Sequence, residues 1–205
     1  RGVFAAGGFT DRTGDFGVGQ PGWSWNSKFV DLDQDGWLDL YVATGFMAHR
    51  SFMPNMFYHN QGGKAFGQDT EAFGLSDPVP TSSYLLLDYD RDGDMDVIRA
   101  SLTTQPIVHR NDAPAGKALW VRLDDGRGNR SGVGAKVIVR TADGTRRSRE
   151  IRQSGGFVSF DVPQAHFGLG TADRVEEVTV IWPDGSRTVV EGQIAASSQI
   201  LVKRY

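Results

Sequence analysis

The chain has 205 residues, 11% of them aromatic, with 26 glycines, no cysteine and a formal net charge of −3. That length suits one large or two small domains, and the composition suits a β-rich protein with many turns. The missing thiols exclude disulfides, thiol catalysis, zinc–thiolate sites and c-type haem attachment; no stretch of 18 apolar residues is present to span a membrane as a helix.

In chain order, Arg1 opens the sequence without Met or a signal peptide, which reads as a mature or excised piece of something longer. Trp23 and Trp25 precede a first strand. One of them is expected to fill the core and the other to face away from it, where it could stack on sugar. Phe29-Val30 then leads into Asp31-Leu32-Asp33-Gln34-Asp35-Gly36-Trp37-Leu38-Asp39, of form D-x-D-x-D-G-x-x-D. The same form recurs 57 residues later as Asp88-Tyr89-Asp90-Arg91-Asp92-Gly93-Asp94-Met95-Asp96. Phe16-Gly17 and Phe73-Gly74 share that offset, as do Phe29-Val30 and Leu86-Leu87.

Four aspartates in nine residues need a counter-charge at neutral pH, and a hard cation such as Ca²⁺ supplies one. Asp31, Asp33 and Asp35, like Asp88, Asp90 and Asp92, alternate so that three carboxylates converge. Gly36 and Gly93 allow the sharp turn. Trp37 and Asp94 stand where the backbone carbonyl is the donor, and Asp39 and Asp96 close the shell. An EF-hand needs Glu three residues further on and a helix on each side. Here Val42 and Arg99 stand there, and the flanks Leu38–Val42 and Met95–Ile98 read as strands. Two Ca²⁺ loops between strands are expected; metal-free Asp/Gly turns are the bland alternative.

After each strand comes a variable loop, then Tyr58-His59-Asn60 or His109-Arg110-Asn111. His59 and His109 occupy matching places and read as structural hydrogen-bonding groups, as does His166 in a Gly-flanked turn; His49 stands apart. Met47, Met53 and Met56, with Phe46, Phe52, Phe57 and Tyr58, read as packing between repeat units, or as an adaptable contact surface. A period of 40 to 60 residues built of short strands suggests propeller blades. Closed propellers need about four to eight, and this chain holds about two, a partial propeller. Its open blade edges imply a protein partner or self-association.

Asn111–Lys117 reads as a linker, dividing the chain into residues 1–112 and 117–205. The first part carries 8 Lys/Arg against 15 Asp/Glu, net −7, and residues 113–205 carry 14 against 10, net +4. Two bound Ca²⁺ would bring the first part to −3, so its acidity is local to the loops and says little about partners. Beyond the linker, alternation over Leu119–Leu123, Ala135–Val139, Phe157–Phe160, Glu177–Trp182, Thr188–Val190 and Ile200–Val202, with turns at Ala142-Asp143-Gly144 and Pro183-Asp184-Gly185, predicts seven or eight short strands. These fit a small antiparallel sandwich or barrel, so the fold class is all-β. Arg146, Arg147, Arg149 and Arg152 form a basic run on one strand. It reads as a solvated face, with an anionic glycan or acidic protein next and nucleic acid excluded. Gly126-x-Gly128 and Gly168-x-Gly170 precede no helix and are not phosphate loops.

These motifs resemble a known arrangement. F-x-D-x-D-x-D-G-x-x-D-L-Y-V and L-x-D-Y-D-R-D-G-D-M-D-V are similar to FG-GAP/VCBS repeats of integrin-type β-propellers. Gly128–Val137, Ser154-Gly155-Gly156-Phe157, His166–Gly170 and Val180–Gly185, in that order, resemble the ASPIC/UnbV domain that ends secreted proteins of the cartilage acidic protein type. The resemblance implies a secreted, Ca²⁺-binding, non-catalytic adhesion or interaction module. Family ligands map onto Asp31, Asp33, Asp35, Asp39, Asp88, Asp90, Asp92 and Asp96 and the carbonyls of Trp37 and Asp94. An extracellular or periplasmic setting also follows from the loops, because free Ca²⁺ is millimolar there. The alternative is a carbohydrate-binding appendage of a larger secreted enzyme. A hydrolase is disfavoured, since no G-x-S-x-G elbow or other nucleophile signature is present.

Overall fold

The computed structural model describes residues 8–19, 22–45, 54–77, 79–101, 103–112 and 116–205. His49, Met47, Met53, Phe46, Phe52 and the Ala113–Ala115 portion of the expected linker lie outside the described residues. The architecture is all-β, with one helical turn, α1 (Thr13–Phe16).

The first sheet is an antiparallel meander of β1 (Ser24–Val30), β2 (Asp39–Thr44), β3 (Met56–Asn60) and β4 (Phe66–Gln68). The second contains β5 (Thr81–Leu87), β6 (Asp96–Ser101) and β7 (Ile107–His109), also antiparallel and in chain order. Their first two strands match in detail. Val30 pairs with Asp39 and Leu87 with Asp96, and both hairpins carry a bulge at the same place, Ser24/Asn26 and Thr81/Ser83. Even the turn ahead of each sheet repeats. Phe16 N donates to Arg12 O and Phe73 N to Asp69 O, and Gly17 and Gly74 close the turns at φ of 73° and 66°. β5 packs on β1 and β2, where the Tyr84 hydroxyl donates to the Tyr41 carbonyl at 2.7 Å.

The 57-residue offset breaks at the third strand. Leu40 faces Tyr58 and Val97 faces His109, so His109 corresponds to Tyr58, not to His59. In a strand, a one-residue slip reverses the facing. His59 points to the first aspartate loop, whereas His109 accepts from the buried Arg99 Nε at 3.0 Å in a partly buried network with Asp77. The equivalence expected from sequence is thus corrected.

The C-terminal half contains β8 (Lys117–Asp125), β9 (Lys136–Thr141), β10 (Arg146–Glu150), β11 (Ala165–Gly170), β12 (Arg174–Ile181), β13 (Arg187–Ala195) and β14 (Ser198–Arg204). They form two sheets, β10-β9-β12-β13 and β11-β8-β14. Leu119, Val121, Val137, Val139, Phe167, Val178 and Trp182 fill the core between them. The turns at Asp143-Gly144 and Asp184-Gly185 form as expected, each aspartate accepting a backbone N–H two residues on. Two expectations fail. β14 runs parallel to β8, so the unit is not wholly antiparallel. Phe157–Phe160 is no strand: a single bridge joins Gly156 to Ser159, and Val158 sits at φ 47°, which breaks the alternation. Among the described residues no sheet closes on itself.

β8 joins the halves. Its Leu119, Val121 and Leu123 face their own core, and alternation sends Trp120 the other way. There it packs among Leu32, Leu86 and Met95 of the N-terminal sheets.

Candidate metal centre

Each aspartate loop links the first two strands of its sheet, and the loops share a hydrogen-bond scaffold. Asp31 Oδ2 accepts Gly36 N at 3.0 Å, and Asp88 Oδ2 accepts Gly93 N at 3.1 Å. Asp35 Oδ1 accepts Trp37 N, and Asp92 Oδ1 accepts Asp94 N. Asp39 ties the loop to its sheet, accepting Leu32 N at 3.1 Å and Asn60 N at 2.8 Å. Asp96 does the same with Tyr89 N and Asn111 N at 3.0 and 2.9 Å. Gln34 and Arg91 hold φ of 59° and 66°, and Gly36 and Gly93 of 95° and 105°. Those left-handed positions curl the backbone so that alternate aspartates point inward.

The curl brings together one carboxylate oxygen each of Asp31, Asp33 and Asp35 within 4.8 Å, and likewise Asp88, Asp90 and Asp96. A third group of the same size joins Asp33, Asp39 and His59. Asp92 instead stays close to Asp94, whose side chain is buried rather than free to vary. Trp37 covers Gly63, where a Cβ would lie 2.5 Å from the indole. His59 braces the first loop, with Nε2 at 3.0 Å from Asp33 Oδ2 and Nδ1 at 3.3 Å from Asp69 Oδ2.

Burial, followed by the charge of Asp35, pushes the Asp31 carboxyl up to about 7. Burial also takes Asp39 up to about 7 against two backbone donors, and burial with Asp92 takes Asp94 to about 7. Asp35, Asp88 and Asp96 are raised as well, burial being the leading cause in each. Burial disfavours the His59 imidazolium, but Asp39 and Asp33 outweigh it and raise the group overall. Burial and the neighbouring negative charges both favour the protonated, neutral form of these groups. Oδ1 of Asp31 and Oδ1 of Asp88, matching atoms in the two loops, are buried without a hydrogen-bond partner. Buried unpaired acceptors in an all-oxygen donor set fit a hard divalent cation.

The loops differ in what covers them. The C-terminal half lies on the first. Gly170 N donates to Gln34 O at 2.8 Å, and Gly116 N to Asp33 O at 3.2 Å. A Cβ on Gly168 would stand 2.1 Å from Asp31 Oδ2 and 2.7 Å from the Gln34 backbone. Arg147 Nε donates to Gly36 O at 3.3 Å, and Arg149 lies close enough to Asp31 to oppose its upward shift. The basic run is therefore not a solvated face: alternation turns Arg147 and Arg149 toward the loop and leaves Arg146 exposed. Sequence reasoning missed this because strand period alone does not say which face meets another unit. The second loop has lighter cover, receiving Trp120 Nε1 at 3.0 Å and Gln34 Nε2 at 3.3 Å on Gly93 O.

Residues 125–204 match the protein family described as ASPIC and UnbV. The chain is also similar to cartilage acidic protein 1. Identity to the Homo sapiens protein is 27% over 185 residues, covering 85% of this chain and 28% of that protein. Identity to the Mus musculus protein is 31% over 182 residues, covering 84% and 28%, and to the Xenopus tropicalis protein 33% over 113 residues, covering 52% and 17%. The chain thus spans no more than 28% of the length of these relatives. Among the described residues no helix is long and apolar enough to cross a membrane.

Proposed function

We propose that this chain is a Ca²⁺-binding, non-catalytic interaction module of a secreted protein. Residues 1–112 would be two FG-GAP/VCBS-type propeller blades and residues 117–205 an ASPIC/UnbV domain seated on them. The observation that carries the reading is the duplicated loop scaffold, with its matching buried acceptors on Asp31 and Asp88. Asp31, Asp33, Asp35 and Asp39 would hold one ion and Asp88, Asp90, Asp92 and Asp96 the other, with the carbonyls of Trp37 and Asp94. When bound, Ca²⁺ supplies the positive charge that lets these carboxylates stay ionised. The metal is structural on this reading, so ligand linkage makes stability follow its concentration.

Further blades in a longer protein, or a second chain, would cover the open sheet edges, which supports an adhesion or assembly role. Extracellular placement accords with this reading, because free Ca²⁺ is plentiful outside cells. The test is a thermal melt in Ca²⁺ and in EGTA, with Asp33→Ala and Asp90→Ala alongside. A rise in melting temperature with Ca²⁺, reduced by either substitution, supports the reading; equal melting in both buffers refutes it.

A second reading, a carbohydrate-binding appendage, draws on one observation. Trp23 is 53% exposed and stands edge-on to Trp25 at 6.3 Å, with the half-exposed Phe157 ring 5.0 Å further along. Glycan-array binding that disappears in Trp23→Ala would favour it, and silence across a broad array would count against it.

A further inference from the structure

Between the first loop and the C-terminal half lies a cavity of about 640 Å³. Leu86, Met95 and Trp120 give it an apolar wall, and Asp31, Arg149 and His166 a polar one. A cavity of this volume, at a junction of packed units and with an apolar wall facing a wall of charged and polar side chains, has the character of a site for a small amphipathic ligand. All three polar side chains contribute a buried atom without a hydrogen-bond partner: Asp31 Oδ1, Arg149 Nη2 and His166 Nε2. Asp31 and His166 are only 1% and 6% exposed.

Other charges around the cavity are matched. Lys28 Nζ pairs with Asp161 at 2.7 Å and donates to the Tyr84 carbonyl at 2.8 Å. Arg152 pairs with Glu150 at 2.7 Å. Arg149 differs: its guanidinium lies 5.3 Å from the Phe167 ring centroid, Nη1 donates to Ser148 O at 3.0 Å, and the carboxylate it faces is Asp31. A cation in the first loop takes up the charge of Asp31. Among the described residues of this wall, Arg149 is then the unmatched cation, in a desolvated setting where a guanidinium grips carboxylates in a fork.

We propose that the cavity binds a small carboxylate with an aliphatic or aromatic body, its head on Arg149 and its body against Trp120, Met95 and Leu86. This rests on the metal reading of the first loop. His166 assists without competing. Burial, then Arg149, push its imidazole down to about 3, so it stays neutral and offers Nε2 as donor or acceptor. The sign of the coupling follows. A cation on Asp31 releases Arg149, so the loaded chain binds the carboxylate more tightly, and by reciprocity the carboxylate tightens the cation.

Phenylacetate titrated into the full chain in Ca²⁺ and in EGTA, followed by calorimetry and by the Trp120 indole N–H resonance, tests this. Saturable binding is expected in Ca²⁺, with affinity about tenfold lower in EGTA and in Arg149→Met, as loss of a charge-assisted hydrogen bond implies. Val162→Trp, placed on the exposed rim of the cavity, should abolish phenylacetate binding while leaving Ca²⁺ binding intact, so the result does not depend on Arg149→Met folding. Ca²⁺ binding without phenylacetate binding, or phenylacetate binding indifferent to Ca²⁺ and to Val162→Trp, overturns the cavity assignment alone. Absence of Ca²⁺ binding in the same cell brings down the metal reading and this one with it.

Discussion

Asp39 shows how one side chain serves loop and sheet together. Fully buried, it accepts a backbone N–H on each oxygen, from Leu32 and Asn60. Asp39→Asn keeps the shape but replaces one acceptor by a donor facing a donor. A loss of about 1–3 kcal/mol of stability is expected, measurable by urea unfolding. The raised carboxyls carry a pH signature. Asp31, Asp39 and Asp94, each pushed up to about 7 from 3.8, bind protons in the folded metal-free chain that the unfolded chain has released. Stability therefore falls as pH rises from about 4 to about 7. His166, depressed from 6.5 to about 3, works the other way over about 3 to 6.5, but it is no metal ligand and cancels when the same chain is compared with and without Ca²⁺. The gain in melting temperature from Ca²⁺ should thus grow between pH 5 and pH 7.5. A gain independent of pH would contradict the assignment of these carboxylates to the ion. At this scale the sequence was most legible: nine-residue spacing and glycine position located both loops. It did not disclose His59 as the brace of Asp33, because the shortened link to β7 hides the true register of the third strands.

Among elements, β11 and β8 decide how the halves meet. Gly168 lies on β11 against Asp31 and the backbone of Gln34. Gly168→Ala should displace that loop, weakening the first cation site while sparing the second; equal effects on both would refute the contact. Trp120 on β8 donates to Gly93 O at 3.0 Å, packs against the tilted His166 ring at 4.6 Å and joins the N-terminal core. Trp120→Ala should cost about 3–5 kcal/mol, with accelerated proteolysis near residues 112–116 as the readout. Alternation made most of these strands readable in advance. What stayed hidden was contact between units: the period shows that Arg147 and Arg149 share a face, but only docking makes it an inner one. The segment around Val158 failed for a local reason, its left-handed residue breaking a pattern that otherwise reads as a strand.

At the scale of the molecule, the two halves share a partly buried ion pair. Lys28 on β1 reaches Asp161 across the junction, its ammonium pulled down by burial and upheld by that carboxylate, while Asp161 also accepts Leu86 N at 3.1 Å. Asp161→Ala leaves the Lys28 ammonium with only the Tyr84 carbonyl and ring as partners and should cost about 3 kcal/mol; Lys28→Met combined with Asp161→Ala should recover part of that loss. The all-β class was legible from turn residues and alternation, whereas the parallel pairing of β14 was not, since pairing direction leaves no mark on periodicity. Direct counting of bound metal tests the central claim best. Calorimetric titration of Ca²⁺ into the metal-freed chain should show two sites, reduced to one by Asp88→Ala together with Asp90→Ala. No heat of binding, with no metal retained after gel filtration in Ca²⁺, would contradict it.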